Sequence, residues 1–468
     1  MRKLLAFLKD SYREAVSGWV LQAMLVLIGL FLLLVLSTSF RQLTLQQVLD
    51  GQFGFINTFV GSNPQLGSPK ITVENAVESN PVEPWSSGHS FDIVVTCPTP
   101  ADYEKAKKSG LPVDKAAMSR MMKSIKLFEG LTVEEVTTPP PAPKGNEKPD
   151  EKASAGPAVA RFHITATGTT ITERREWPHQ LVVFFAVPVT TFLSFSPRDG
   201  AYLAENYLVS GIGGWIFCLL AVVITAAFIP NMMAKGALDL IVSKPVSRVG
   251  LLVCKYLGGL TFMVLLTSFA VVGVYLMVGV RTGIWAPHFL AAIPLLTLQF
   301  AILYAVSTLI GTLTRNSLVA ILGTLMAWFL LFAFGAIDNR IHEREKENEK
   351  LSEMLRTGRF EDFDEMGRPQ SREELIARMD PNRPLWSIIP ASSFPVWKAV
   401  NLVLPRMTQI DDRAGRLIAQ GVLTDRQQKA RGWDQPARES WAELIGVTGL
   451  FIGVILGLAS WRFVTRDG

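Results

Sequence analysis

The residues of this 468-residue chain whose types could support chemistry are few and scattered. Its five histidines (His89, His163, His179, His288 and His342) form no His-Glu-x-x-His motif and no ligand cluster at metal-binding spacing. The string GHSFD, 88–92, holds His89, Ser90 and Asp92 together. A Ser–His–Asp relay is defined by geometry, and neighbours in sequence are not expected to face one another, so no chemistry is assigned to it. Cys97, Cys218 and Cys254 supply neither a disulfide framework nor zinc-type pairs. No G-x-x-x-x-G-K-[ST] occurs, so the chain has no phosphate-cradling loop. The expectation is a protein with no catalytic, cofactor-binding or metal-binding residues of its own, and therefore not an enzyme.

The most informative order of residues is PNMMAKGALDLIVSKPVSRVGLLVCKYLGG, 230–259. Pro230 closes an incoming helix, 237–242 is a short apolar helical run, and Pro245 forces the chain out of helix at Lys244. Ser247 is placed to N-cap the helix that follows. An apolar run flanked by Lys235, Lys244, Arg248 and Lys255 needs a cover, either lipid headgroups or a partner protein.

The elements that position this hairpin are apolar. Hydrophobic residues make up 49% of the chain and charged ones 19%, which fits a membrane protein with sizeable water-exposed parts. A bilayer core about 30 Å thick needs roughly 20 apolar residues in a helix. Six stretches without Asp, Glu, Lys or Arg approach or meet that length: 19–39, 207–229, 258–280, 289–313, 317–337 and 444–461. An amphipathic leader, 1–18, precedes the first and suits the headgroup region of a retained anchor rather than a cleaved signal. The short pieces 1–18, 230–257, 314–316 and 462–468 are basic (Arg2, Lys3, Lys9, Arg13, Arg315, Arg462 and Arg466 beside the hairpin cations). They carry only Asp10, Glu14, Asp239 and Asp467 as acids. The positive-inside rule then puts both ends on the cytoplasmic side of the membrane. The net charge of +5 is too dispersed to argue for nucleic acid.

Two large insertions fall on the other side. The first, 40–206, carries strand-like runs at 91–98, 160–174 and 179–195, a helical run at 101–130, and a Pro- and Lys-rich linker at 137–157. The second, 338–443, reads as helical, with a Ser371/Glu374 capping box. The expected fold is a mainly α membrane protein. It has six transmembrane helices, a β-containing extracytoplasmic insertion between helices 1 and 2, and a helical extracytoplasmic insertion between helices 5 and 6. The spans themselves contain no Asp, Glu, Lys, Arg or His, which argues against a self-powered, ion-coupled carrier. Gly449, Gly453 and Gly457 repeat every four residues on one face of the last span and suit helix packing or a dimer seam.

The hairpin resembles the segment of form G-T-L-x-x-L-L-S-x-P-V-S-R that joins the second and third spans of type-2 ATP-binding-cassette permeases, notably those of copper-enzyme maturation and gliding-motility systems. Gly236, Leu238, Ile241, Ser243, Pro245, Val246, Ser247 and Arg248 match. Ala237 replaces the usual Thr, and Met233, Ala234 and Lys235 stand where acidic residues are common. The resemblance covers the six-span layout and above all 200–337. It implies that Gly236, Leu238, Asp239, Leu240, Ile241, Ser243, Lys244, Pro245, Val246, Ser247 and Arg248 form the surface that sits in a cleft of a cytoplasmic ABC ATPase subunit. It further implies ATP and Mg bound by that subunit and not by this chain, and a second permease copy in a homo- or heterodimer. Membrane lipid completes the set of partners, and nucleic acid is not among them. The function this suggests is an ATP-driven permease subunit of a bacterial plasma (inner) membrane, working in the direction of export. The alternatives are a mechanotransmission or scaffold protein moved by an ATPase without translocation, or a membrane-anchored extracytoplasmic enzyme.

Overall fold

The computed structural model describes residues 19–59, 66–80, 83–125, 127–137, 157–189, 195–210, 212–233, 247–357, 390–433 and 437–466. The leader 1–18, the linker residues 138–156, Ser371, Glu374 and hairpin residues 234–246 lie outside them. The chain divides into two compact units. One comprises 31–204 and 276–285; the other comprises 1–30, 205–275 and 286–468.

The chain enters the described region through α1, Trp19–Leu36, followed by β1, Ser39–Gln42, and α2, Leu45–Phe59. Five strands and two helices come next: β2 (Lys70–Glu78), β3 (His89–Cys97), α3 (Pro100–Lys108), α4 (Lys115–Ile125), β4 (Phe128–Glu129), β5 (Thr132–Thr137) and β6 (Ala158–Ala166). Then follow β7 (Gly168–Thr169), β8 (His179–Val183) and β9 (Val187–Pro188). The main sheet is antiparallel in the order β2-β3-β6-β5, with β1-β8-β9 and β4-β7 as smaller sheets. Strict alternation in β6 sends Ala158, Ala160, Phe162 and Ile164 into the core and their neighbours to the other face. The core is closed by a stripe at i, i+3, i+4 spacing on α2, namely Leu45, Val48, Leu49 and Phe53, and by Met118 and Met122 of α4. Trp177, fully buried, donates its indole N–H to the Leu43 carbonyl at 2.8 Å.

The other unit is helical. It takes in the end of α5 (Pro197–Val209), then α6 (Ile212–Thr225), α7 (Phe228–Met232) and most of α8 (Arg248–Thr282). Next come α9 (Ala292–Thr314), α10 (Ser317–Thr357), α11 (Phe394–Val403), α12 (Met407–Val422), α13 (Asp425–Ala430) and α14 (Trp441–Arg466). Among the described residues, five helical segments (197–232, 248–282, 287–314, 317–357 and 441–465) are long and apolar enough to cross a bilayer, and the apolar part of α1, Leu21–Leu36, is a shorter sixth. The fourth of them, α10, is unbroken for 41 residues, so its apolar first half continues directly into a charged second half. Between α9 and α10 only Arg315 and Asn316 intervene. Arg315 adopts the left-handed conformation (φ 54°) and its N–H closes on the Gly311 carbonyl at 2.8 Å, while Asn316 Oδ1 accepts the Leu318 N–H at 2.9 Å.

Candidate functional site

Of the predicted coupling residues, Gly236, Leu238, Asp239, Leu240, Ile241, Ser243, Lys244, Pro245 and Val246 lie outside the described residues, and Ser247 and Arg248 lie within them. Ser247 caps α8: its Oγ accepts the Gly250 N–H at 3.1 Å, and its carbonyl accepts the Leu251 N–H at 3.0 Å. Arg248 is the first residue of that helix. The two flanks of the hairpin meet in one apolar cluster. Ile229, Met232 and Met233 from the incoming side join Leu251 and Leu252 from the outgoing side, with Ala459 and Phe463 from the far end of α14 and Leu309 of α9 against them. Ile229, Leu252 and Phe463 are each no more than 2% exposed. Gly311 of α9 faces the Pro230 ring, which a Cβ there would meet at ordinary contact distance, 3.4 Å. A turn and a half beyond Leu251, Tyr256 stacks on Tyr304 of α9 (ring centroids 5.2 Å apart, 9° between planes) and donates to the Ala301 carbonyl at 2.8 Å. Gly259 permits that approach: a Cβ there would stand 2.3 Å from the Tyr304 ring. The hairpin is thus rooted in a packed joint of four helices.

At the other end of α14, where α10 and α12 meet it, lies a polar cluster that no sequence motif announced. Asp338, 2% exposed, is ion-paired with Arg438, and the Gln409 amide stands 3.5 Å from the same carboxylate oxygen. Arg406, just before α12, pairs with Glu439. Ser440 then caps α14, its Oγ accepting the Glu443 N–H at 3.2 Å while Glu443 accepts the Ser440 N–H at 3.1 Å. The α12 helix buries Met407, Ile410, Ala414, Ile418 and Val422 along one stripe. Asp411 sits beside that stripe. Burial pushes its carboxyl up to about 7, against hydrogen bonds from Gln299 and Trp215 that favour the ionised form. The Ser210 hydroxyl adds a 3.4 Å contact to the Asp411 carbonyl. Glu205, 1% exposed, keeps its Oε2 without a hydrogen-bond partner among the described residues. The only hint in the sequence was the apolar spacing M-x-x-I-x-x-x-A-x-x-x-I within 407–418 and the single amide, Gln299, inside the fourth apolar stretch.

A family model described as ABC-2 family transporter protein matches residues 19–467, nearly the whole chain. The chain belongs to the ABC-2 transporter family. No curated protein matches it. The ABC-2 permease is therefore an integral membrane component of a transport system, built as a mainly α, multi-pass protein with a β-containing insertion after the first span.

Two further groups singled out in the permease sequence have defined surroundings. Gly449, Gly453 and Gly457 are exposed on α14, and a Cβ added to any of them would meet no described atom within 4 Å. They therefore pack against none of the described residues of their own chain. The string 88–92 behaves otherwise than expected. Ser90 and Asp92, two apart on β3, share one face of the sheet. The histidine between them is not His89 but His163 of β6, register partner of Asp92. His163 Nδ1 lies 2.7 Å from Asp92 Oδ1, and its Nε2 lies 3.3 Å from Ser90 Oγ. Asn75 holds the other Asp92 oxygen at 2.9 Å. Burial tends to raise the Asp92 pKa, but hydrogen bonds from His163 and Asn75 outweigh it and hold the carboxyl below its usual value. The order Ser–His–Asp is that of a hydrolase relay, yet β3 is paired on both sides, with Val77 and Thr165 opposite Ser90. Its backbone N–H groups are committed to the ladder and offer no oxyanion hole. The three residues act as a cross-strand stitch on the outer face of the sheet. His89 and His179 are buried, as are all three cysteines, which are free thiols. Among the described residues no group of His, Cys, Asp and Glu is arranged to hold a metal.

Proposed function

We propose that the chain is the membrane subunit of an ATP-driven exporter of the bacterial plasma membrane, worked by a separate cytoplasmic ATPase through residues 236–248. The reading rests above all on the apolar joint at the hairpin base. Both hairpin flanks share one packed cluster with the ends of α9 and α14, so a displacement of the hairpin would be passed to several spans at once. Lys235, Lys244, Arg248 and Lys255 around the hairpin support a cytoplasmic position for it and for both termini. ATP and Mg belong to the partner in this reading. Six spans make half of a pathway, and the open glycine face of α14 is the surface offered to a second permease copy.

Affinity purification in mild detergent with mass spectrometry of the co-eluting proteins tests the assignment. A stoichiometric companion carrying a phosphate-binding loop is expected, and it should be lost from a Leu240→Asp/Ile241→Asp variant that still folds. A preparation free of any ATPase in several detergents would refute the coupling. The unbroken α10 favours a second reading, mechanotransmission without translocation. Its 41 residues span about 60 Å, twice the bilayer core, so a tilt of the apolar half is delivered directly to the charged half. ATP-dependent change in distance between labels on 340–357, in a protein that moves no lipid or solute across vesicles, would support that reading over export.

A further inference from the structure

The β8–β9 hairpin ends in Phe184 and Phe185, each 64% exposed, followed by Val187 at 57% and Val189 at 46%. The Ala186 N–H closes the turn on the Val183 carbonyl at 3.3 Å, and both central residues have positive φ, 52° and 58°. A turn of that shape is ordinarily filled by Asn and Gly, and a tip in water by polar side chains. Here two bulky aromatic rings occupy strained positions and point away from the β core.

The tip's location says what covers it. The Phe185 N–H donates to the Ser37 carbonyl at 3.2 Å and the Phe184 N–H to Ser37 Oγ at 3.4 Å. Ser37 immediately follows α1, whose last turns expose Leu33 and Leu34. The Arg281 guanidinium lies 4.7 Å over the Phe185 ring, and its Nε donates to the Thr38 carbonyl at 2.6 Å. Arg281 in turn immediately follows Val280, 67% exposed, the last apolar residue of α8. Two membrane helices thus reach the end of their apolar runs at the level of this hairpin, one capped by Ser37 and the other by Arg281. Aromatic rings beside an arginine at that depth are the usual makeup of the membrane interface. We propose that the 184–189 tip is a monotopic anchor inserted at the headgroup–acyl boundary of the bilayer, pinning the β unit to the membrane surface beside the ends of α1 and α8. Exposed Leu33, Leu34 and Val280 at those helix ends set further apolar surface beside the tip, which is why lipid and not a soluble partner is its occupant.

The test uses the full chain in vesicles of phosphatidylcholine and phosphatidylglycerol, with nitroxide labels at Phe184→Cys and, separately, Val187→Cys. The native thiols are buried, and unlabelled wild-type chain is the control. Val77→Cys, at a 60% exposed site on β2, reports the water-facing sheet. Collision with oxygen relative to a water-soluble nickel chelate should be several-fold higher at 184 and 187 than at 77, placing both labels within about 10 Å below the phosphates. Ratios equal to that at 77 would overturn the proposal in favour of a tip in water. Labels closed to both reagents would overturn it in favour of a protein partner, a second copy of the chain included.

Discussion

Replacing Arg438 with Met tests whether the polar cluster at the insertion end of the helices holds the last span in place. Asp338 is 2% exposed, and its described partners are Arg438 and, at 3.5 Å, the Gln409 amide. Arg438→Met therefore strands a buried carboxylate with one weak hydrogen bond. Breaking a buried pair from one side costs about 3–5 kcal/mol. The Arg438 side chain is 29% exposed, so water can reach the vacated position and the lower end of that range applies, about 3 kcal/mol. At roughly 2 °C per kcal/mol for a unit of this size, thermal unfolding in detergent should fall by roughly 6 °C. Asp338→Asn/Arg438→Met removes both charges and should recover most of the loss, leaving the double variant within about 1 kcal/mol of wild type. A single variant that melts with the wild type, or a double variant no better than Arg438→Met, would show that the pair does not couple α10 to α14.

Asp411 makes stability depend on pH. The unfolded chain ionises it above its ordinary value of 3.8, whereas the folded chain keeps the proton until about 7, so stability is lost as pH rises between those values and levels off above them. That shift is worth about 4 kcal/mol in full, and about 2 once the partial contact of Asp411 with water is allowed for; Asp411→Asn should recover this at pH 8 and gain nothing at pH 4, as followed by unfolding midpoints. Gly259→Ala should cost about 1–3 kcal/mol through collision with the Tyr304 ring, and Tyr304→Ala in the same chain should return part of it. A fluorophosphonate probe should leave Ser90 unmodified, and labelling that vanishes in His163→Ala would instead make the relay a working hydrolase site.

What could be read in the sequence was whatever is written locally. Long apolar runs between charges gave the membrane helices, because the bilayer imposes a length that composition alone reveals. Strands β3 and β6 were visible in FDIVVTCP and ARFHITATG through their β-branched alternation. Strand β2 (KITVENAVE) and helix α2 were missed, since the first is interrupted by Glu and Asn at a bulge and the second carries a Gly pair and scattered glutamines. The polar cluster could not be read at all: Asp338 and Arg438 are 100 positions apart, and Gln299 and Asp411 are 112 apart. The same holds for Ser90 and His163, which the sheet register brings together across 73 positions.

The two-residue turn between α9 and α10 has a kinematic consequence. Two extended residues reach at most about 7 Å, and here Arg315 and Asn316 are spent reversing direction, each anchored by a hydrogen bond. Sliding one helix past the other by a full turn of 5.4 Å would have to break those hydrogen bonds. In mechanical terms α9 and α10 form one link with a single fixed register. Within the proposed coupling, a displacement received at Leu309 would be carried into α10 by this link, and the freedom a working cycle needs would lie at the longer connections of the chain.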